Sequence, residues 1–244
     1  MHDRWRLHVA SRERVDVWHG EARRLRAVLD AISACVGEEY GAPLDWRNES
    51  MSADQWSSLD EIAAELERER LRDDEGEVMQ GGGSTNVIQG YRDAAPKAMT
   101  NALASVGADD DWPFVCNTTF YTRETEQGGA RLLHEHPVDW LVRLLCEAAD
   151  PVRADQARIT TTSLQGELLD ARETTNVGAL TLAPHGINTA AMPARVQAHP
   201  CPVGYPDGVV LVADLQRVAN DPASLVDDLL AVDDLLRQGA ESST

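Results

Sequence analysis

The sequence predicts an α+β fold, a mainly antiparallel sheet covered by amphipathic helices. Segments of helical and strand periodicity follow in the order helix, helix, strands, helix, strands, helix, without the regular βαβ alternation of a doubly wound sheet. The last third reads strand, turn, strand, turn, strand, helix through "NVGALTLAPHG", "MPARVQAHP" and "DGVVLVADLQRVANDPASLVDDLLAVDDLLRQG". Hydrophobic residues make up 43% of the 244, enough for a packed core. One domain over residues 1–244 is expected. Each half offers an opening helix and about three strands, so a duplicated α-β unit is an option, without a residue-level repeat behind it.

The elements follow in order. "RLHVASRERVDVW" alternates as a strand, and its charge suggests a sheet edge. Leu25, Val28, Leu29, Ile32 and Val36 then share one helical face, with Glu21, Arg23, Arg24 and Arg26 off it. Residues 46–51 read as loop. Ser58 followed by Glu61 is a capping-box pattern opening a helix with Leu59, Ile62, Ala63 and Leu66 as its buried face. The helix runs out into the charged "ERERLRDDEGE". "GGGSTN" makes residues 80–86 the clearest flexible break, taken as a loop within one domain. Strands are expected near 88–92, 99–106 and 114–122, the last rich in β-branched and aromatic residues. Pro137 leads into a helix with Val138, Leu141, Val142, Leu145 and Ala149 on one face, and "ARITTTS" is a further strand. The terminal helix is expected to be capped by Asp221, opened by Pro222 and closed by Gly239, with Leu225, Leu229, Val232 and Leu236 inward.

The formal net charge is −19. Such a surface repels nucleic acid and anionic membranes and attracts basic partners. Direct nucleic-acid binding and a membrane role are therefore not expected, whereas a partner with a basic cleft fits. Cys35, Cys116, Cys146 and Cys201 contain no C-x-x-C spacing, so zinc and redox motifs are not indicated, and reduced thiols in a cytoplasmic protein are expected. The charged opening does not read as a signal peptide.

Chemistry-bearing motifs are few. "GGGSTN" lacks the Lys of a phosphate loop. His134, Glu135 and His136 have a metal-like look, since the two histidines would share a face of a strand; the H-E-x-x-H zinc helix is absent, and both histidines are expected in an exposed approach to the next helix. His185 sits in a turn with Pro184 and Gly186. No G-x-S-x-G elbow surrounds a serine. No catalytic residue, metal or cofactor is assigned.

Two acidic clusters stand out: Asp73, Asp74, Glu75 and Glu77; and Asp109, Asp110 and Asp111 beside Trp112 in an inter-strand turn. Solvated loop charge is the ordinary reading. The functional one is a patch that fills a partner's basic, phosphate-binding cleft, with Trp112 as anchor. Asp227, Asp228, Asp233 and Asp234 are expected on the solvent side of the terminal helix.

The chain resembles the immunity protein 52 family of bacterial polymorphic-toxin systems. The C-terminal strands match its "VGW-x-T/S-Y-L", "LP-x-x-V" and "G-x-x-(V/L)-x-A" elements, and "EARRLRAVLDAISAC" its first amphipathic helix. "IQGYRDAAPKAMTNALASVGADDDWPFVCNTTFYT" resembles its central block through Gly90, Tyr91, Gly107 and Asn117. The family's Trp-Tyr pair reads Ala179 and Thr181 to Leu182 here, and of its Trp-x-Pro-Asp-Trp only Asp150 and Pro151 persist. The resemblance implies a non-catalytic antitoxin for a secreted or contact-delivered toxin, as in type VI secretion. It further implies a toxin with a restriction-endonuclease-like nuclease domain. A hydrolase with a metal site near His134 and His136, or a scaffold subunit, are the alternatives.

Overall fold

The computed structural model describes residues 4–15, 18–70, 77, 83–92, 98–107, 111–122 and 130–241. Among these, nine strands form one antiparallel sheet: β1 (Trp5–Ser11), β2 (Leu44–Arg47), β3 (Ser84–Arg92), β4 (Thr100–Val106), β5 (Phe114–Phe120), β6 (Gln156–Thr161), β7 (Leu180–Ala183), β8 (Val196–Pro200) and β9 (Val209–Ala213). The helices are α1 (Trp18–Tyr40), α2 (Leu59–Arg68), α3 (Val138–Ala149), α4 (Thr162–Ala171), α5 (Leu215–Asn220) and α6 (Val226–Glu241). The α+β expectation holds.

The strand order is β2-β3-β4-β5-β1-β6-β7-β9-β8. β1 therefore lies mid-sheet, paired with β5 on one side and β6 on the other, and not at an edge. Its charge misled because Arg12, Glu13 and Arg14 fall beyond the strand's end. Within it, Trp5, Leu7 and Val9 are buried on one face, and Trp5 stacks on Phe120 with ring centroids 3.8 Å apart. Next to β1 sits β5, the last strand of the first half, whereas next to β6 sits β7, the next in sequence. The two halves thus do not follow one repeated order.

α1 carries the predicted face: Leu25, Val28, Leu29, Ile32 and Val36 are all inaccessible to solvent. It touches α2 and α3, and this layer covers the face of the sheet that holds Trp5, Leu7 and Val9. Glu21 and Arg24, expected off the apolar face, are buried together 3.3 Å apart, because Arg24 also reaches the carbonyls of Glu13 and Val152. The Ser58 hydroxyl accepts the Glu61 N–H and caps α2, as its spacing predicts. Residues 44–47 form edge strand β2 where a loop was expected at 46; Leu44 and Trp46 point inward, and the Trp46 indole donates to the Leu29 carbonyl. The predicted loop over 80–86 ends sooner, since β3 begins at Ser84. Residues 80–82 lie outside the described set.

Among the described residues, helices cover the other face only in the second half. α4, which periodicity did not reveal, follows β6 directly, with the Thr161 hydroxyl accepting the Leu164 N–H. Arg6 on β1 reaches Gln165 of α4, and Arg158 on β6 donates to the Thr175 carbonyl, so α4 and its following turn lie over this side of β1 and β6. The C-terminal helix is broken. Asp214 caps α5 by accepting the Gln216 and Arg217 N–H groups. Asp221, at φ −155° and ψ 64°, ends α5 and makes no side-chain cap. A 3-10 turn from Pro222 then leads into α6. Leu225, Leu229 and Val232 are buried as expected; Gly239 lies inside α6 and does not close it.

Candidate functional site

The described flanks of the acidic segments lie at one end of the sheet. Asp111 and Trp112 lie in the turn between β4 and β5, Asp111 exposed and Trp112 half-buried. The turn needs a left-handed residue, which Gly107 supplies at φ +64°. Arg12, just past β1, places its guanidinium 4.8 Å from the Trp112 ring centroid. Asp109 and Asp110 fall outside the described residues, as do Asp73, Asp74 and Glu75; Glu77 is exposed. The flanks of the two segments are neighbours. Arg70 bridges to Ser84, which pairs with Val106 at the end of β4. Phe114, which opens β5, pairs with both Val106 and Ser11. Two clusters far apart in sequence are thus tethered to adjacent strand ends.

The histidine pair is neither a strand nor exposed. His134 lies half-buried in a 3-10 turn over Leu133–Glu135, and His136 follows with its side chain inaccessible. The His136 ring stacks on Trp140 at 4.5 Å and meets Trp5 edge-on at 5.6 Å. Burial, then the nearby Arg131 cation, lower its pKa to about 4, so the imidazole is neutral at pH 7. Its Nε2 stands 3.4 Å from the Tyr40 hydroxyl, and its Nδ1 has no hydrogen-bond partner among the described residues. The sequence misplaced it because an apolar shelf of tryptophans, remote in the chain, defines its surroundings.

A half-open cavity of about 400 Å³ joins this segment to the β8 edge of the sheet. His134, His136, Arg195, Gln197, His199 and Asp214 line it. The Arg195 guanidinium is held by Asp228 at 2.7 Å and the Ser224 carbonyl, and the Asp214 carboxylate by the first N–H groups of α5. The cavity therefore offers hydrogen bonds to a polar ligand more than free charge. Among the described residues, no serine, threonine, cysteine or lysine lines it, and no group of three or more His, Cys, Asp or Glu could hold a metal ion. His185 sits in the turn after β7, where Gly186 adopts φ +76°.

Two expectations about side chains are corrected. Asp233 is fully buried in α6, not on its solvent side. Its side-chain oxygens accept Arg172 and Arg237 at 2.9 Å each and the Asn176 N–H at 3.0 Å, so the buried carboxyl meets complementary donors. Asp234 stays exposed on the far side of the same Arg172. Cys146 and Cys201 are not reduced but joined in a disulfide, their Cα atoms 6.1 Å apart, which ties α3 to the chain after β8. Cys35 and Cys116 are buried free thiols. No helix among the described residues is long and apolar enough to cross a membrane.

No family model and no curated protein matches the chain. Among solved structures it is similar to the Pseudomonas aeruginosa T6SS protein PA0821, at 14% identity over 94% of this chain and 72% of that one, with a TM-score of 0.46. The likeness is distant.

Proposed function

We propose that this chain is an immunity protein of the immunity protein 52 type, which binds and neutralises a cognate toxin whose nuclease cleft is basic. The observation that carries the reading is that the described flanks of two acidic segments, Arg70 before the first and Val106–Gly107 before the second, meet at one end of the sheet. The first holds Asp73, Asp74, Glu75 and Glu77; the second holds Asp109, Asp110 and Asp111. The net charge of −19 adds long-range attraction for a basic partner. Trp112, half-buried beside the second segment, adds an aromatic surface of the kind enriched at interface centres. The protein acts by occupancy, and no catalytic group, metal or cofactor is required.

The test is co-expression with the toxin encoded beside this chain's gene. Protection of the cell and a stoichiometric complex of the purified proteins support the proposal; a toxin that stays active and unbound at micromolar concentrations of both rejects it.

The second reading is a hydrolase with a metal near His134 and His136, where the cavity gathers histidines but, among the described residues, no group of three or more metal-binding side chains. His136 is a core residue, so its removal reports on folding first. His134→Ala is the informative change: it leaves protection and metal content unaltered if the protein is an immunity protein. Stoichiometric zinc in the wild type, lost in that variant together with protection, selects the enzyme.

A further inference from the structure

In the half of the sheet formed by β2, β3, β4, β5 and β1, one face is buried beneath α1, α2 and α3, and the opposite face carries no described helix beyond the margin that α4 covers at β1. Burial along β3 and β4 alternates strictly up to Gly90, as a sheet with one open side requires. Two large apolar side chains stand on that open side. Val87 is 51% exposed and Leu103 41%. They are direct cross-strand partners, so they form one contiguous patch and not scattered surface residues. Around them lie Thr85, Gln89, Asn101 and Ser105, short polar groups with little charge. An apolar centre within a polar, hydrogen-bonding surround is the layout of a protein–protein interface.

Two occupants are chemically reasonable, a second copy of this chain or a different protein. Charge separates them. Two copies at −19 each would repel at contact, whereas a basic partner gains from the same field. The patch is also close to the sheet end that carries the β4–β5 turn with Asp111. Leu103 precedes Gly107 by four residues of strand, roughly 13 Å at ~3.3 Å per residue. An interface of ordinary size, ~800 Å² on each partner, covers both.

We infer that the open face centred on Val87 and Leu103 receives the basic protein partner, with the chain's net negative charge steering it and this apolar pair holding it. The inference rests on the proposed function. The lack of charge at its centre keeps the desolvation cost low.

The experiment uses the full chain and the inactivated toxin domain encoded beside its gene. In the double variant Val87→Ser with Leu103→Ser, the dissociation constant rises at least tenfold, chiefly through faster dissociation, while the melting temperature stays close to wild type. Val203→Ser is the control. That residue is 37% exposed in the loop after β8, whose Tyr205 hydroxyl bonds the Ala149 and Ala154 carbonyls at and just past the end of α3 and not the β3–β4 pair, and its loss leaves binding unchanged. Hydroxyl-radical labelling of Val87 and Leu103 in the wild type falls on complex formation, a readout independent of variant stability. Unchanged affinity in the double variant, or unchanged labelling, overturns this inference and leaves the immunity reading standing. Absence of binding by the wild type overturns the immunity reading and this inference with it. A wild-type dimer in sedimentation that the double variant abolishes assigns the face to a second copy, and also overturns it.

Discussion

Arg12 lies over the face of Trp112, its guanidinium carbon 4.8 Å from the ring centroid, and so ties the β4–β5 turn to the chain just beyond β1. The contact gives Trp112 a structural role alongside any role in binding. A cation over an exposed ring contributes ~0.5–1 kcal/mol. Trp112→Ala is expected to lower stability by about that amount or somewhat more, read by chemical denaturation, and also to weaken the toxin complex. A loss confined to stability would show that the ring belongs to the fold alone.

The three aspartates of that turn act through charge. Changing Asp109, Asp110 and Asp111 to Asn slows association with the toxin and leaves the melting temperature nearly unchanged, because surface substitutions of this kind typically shift stability within ~0.5 kcal/mol. The wild-type association rate falls as salt rises through ~0.1 M, where the screening length is ~10 Å. Stopped-flow measurements over a salt series check both. Identical rates in variant and wild type move the interface towards the Asp73 to Glu77 segment.

Asp233 and Asp234 are adjacent, share Arg172, and differ in burial, which makes them an internal comparison. Asp233→Asn is expected to cost roughly 2–3 kcal/mol, since a buried carboxylate with three donors loses charge-assisted bonds. Asp234→Asn, on an exposed carboxylate, is expected to cost under ~0.5 kcal/mol. Equilibrium denaturation of the two variants side by side tests the difference.

His8 and His136 are both held neutral, their pKa lowered to about 4 by burial and then by a nearby arginine, Arg158 for His8 and Arg131 for His136. The unfolded chain binds those protons from about pH 6.5 downward, whereas the folded chain resists them until about pH 4. Their contribution is therefore complete above pH 6.5 and is lost as the pH falls towards 4. Glu21, whose carboxyl is raised chiefly by burial, works in the opposite direction. Imidazole resonances of His8 that titrate near pH 6.5 in the folded protein would contradict the buried assignment.

The Cys146–Cys201 bridge closes a 55-residue separation. On the chain-entropy account a loop of that length stabilises by up to ~4 kcal/mol. Cys146→Ser is expected to lower the melting temperature, and peptide mapping without reductant to recover the two cysteines as one linked species. Recovery of both as free thiols from oxidising preparations would sink the assignment.

The sequence by itself determined whatever depends on local periodicity. The inward faces of α1, α2 and α3, the Ser58 cap and the strands near 88–92, 99–106 and 114–120 were legible because helix and strand each repeat over a few residues. The tertiary structure decided what depends on distant partners. β1 is central because β6, beginning 145 residues beyond Ser11, pairs with it (156 − 11 = 145). Asp233 and Glu21 are buried because arginines meet them there, and a carboxylate's tolerance of burial is set by donors that its own helix does not announce. His136 left the surface for the same reason, its ring enclosed by Trp5 and Trp140. The open face with Val87 and Leu103 was also beyond sequence reading. An apolar residue in an alternating strand is expected inward, and only the placement of the helices settles which side of a sheet is left uncovered.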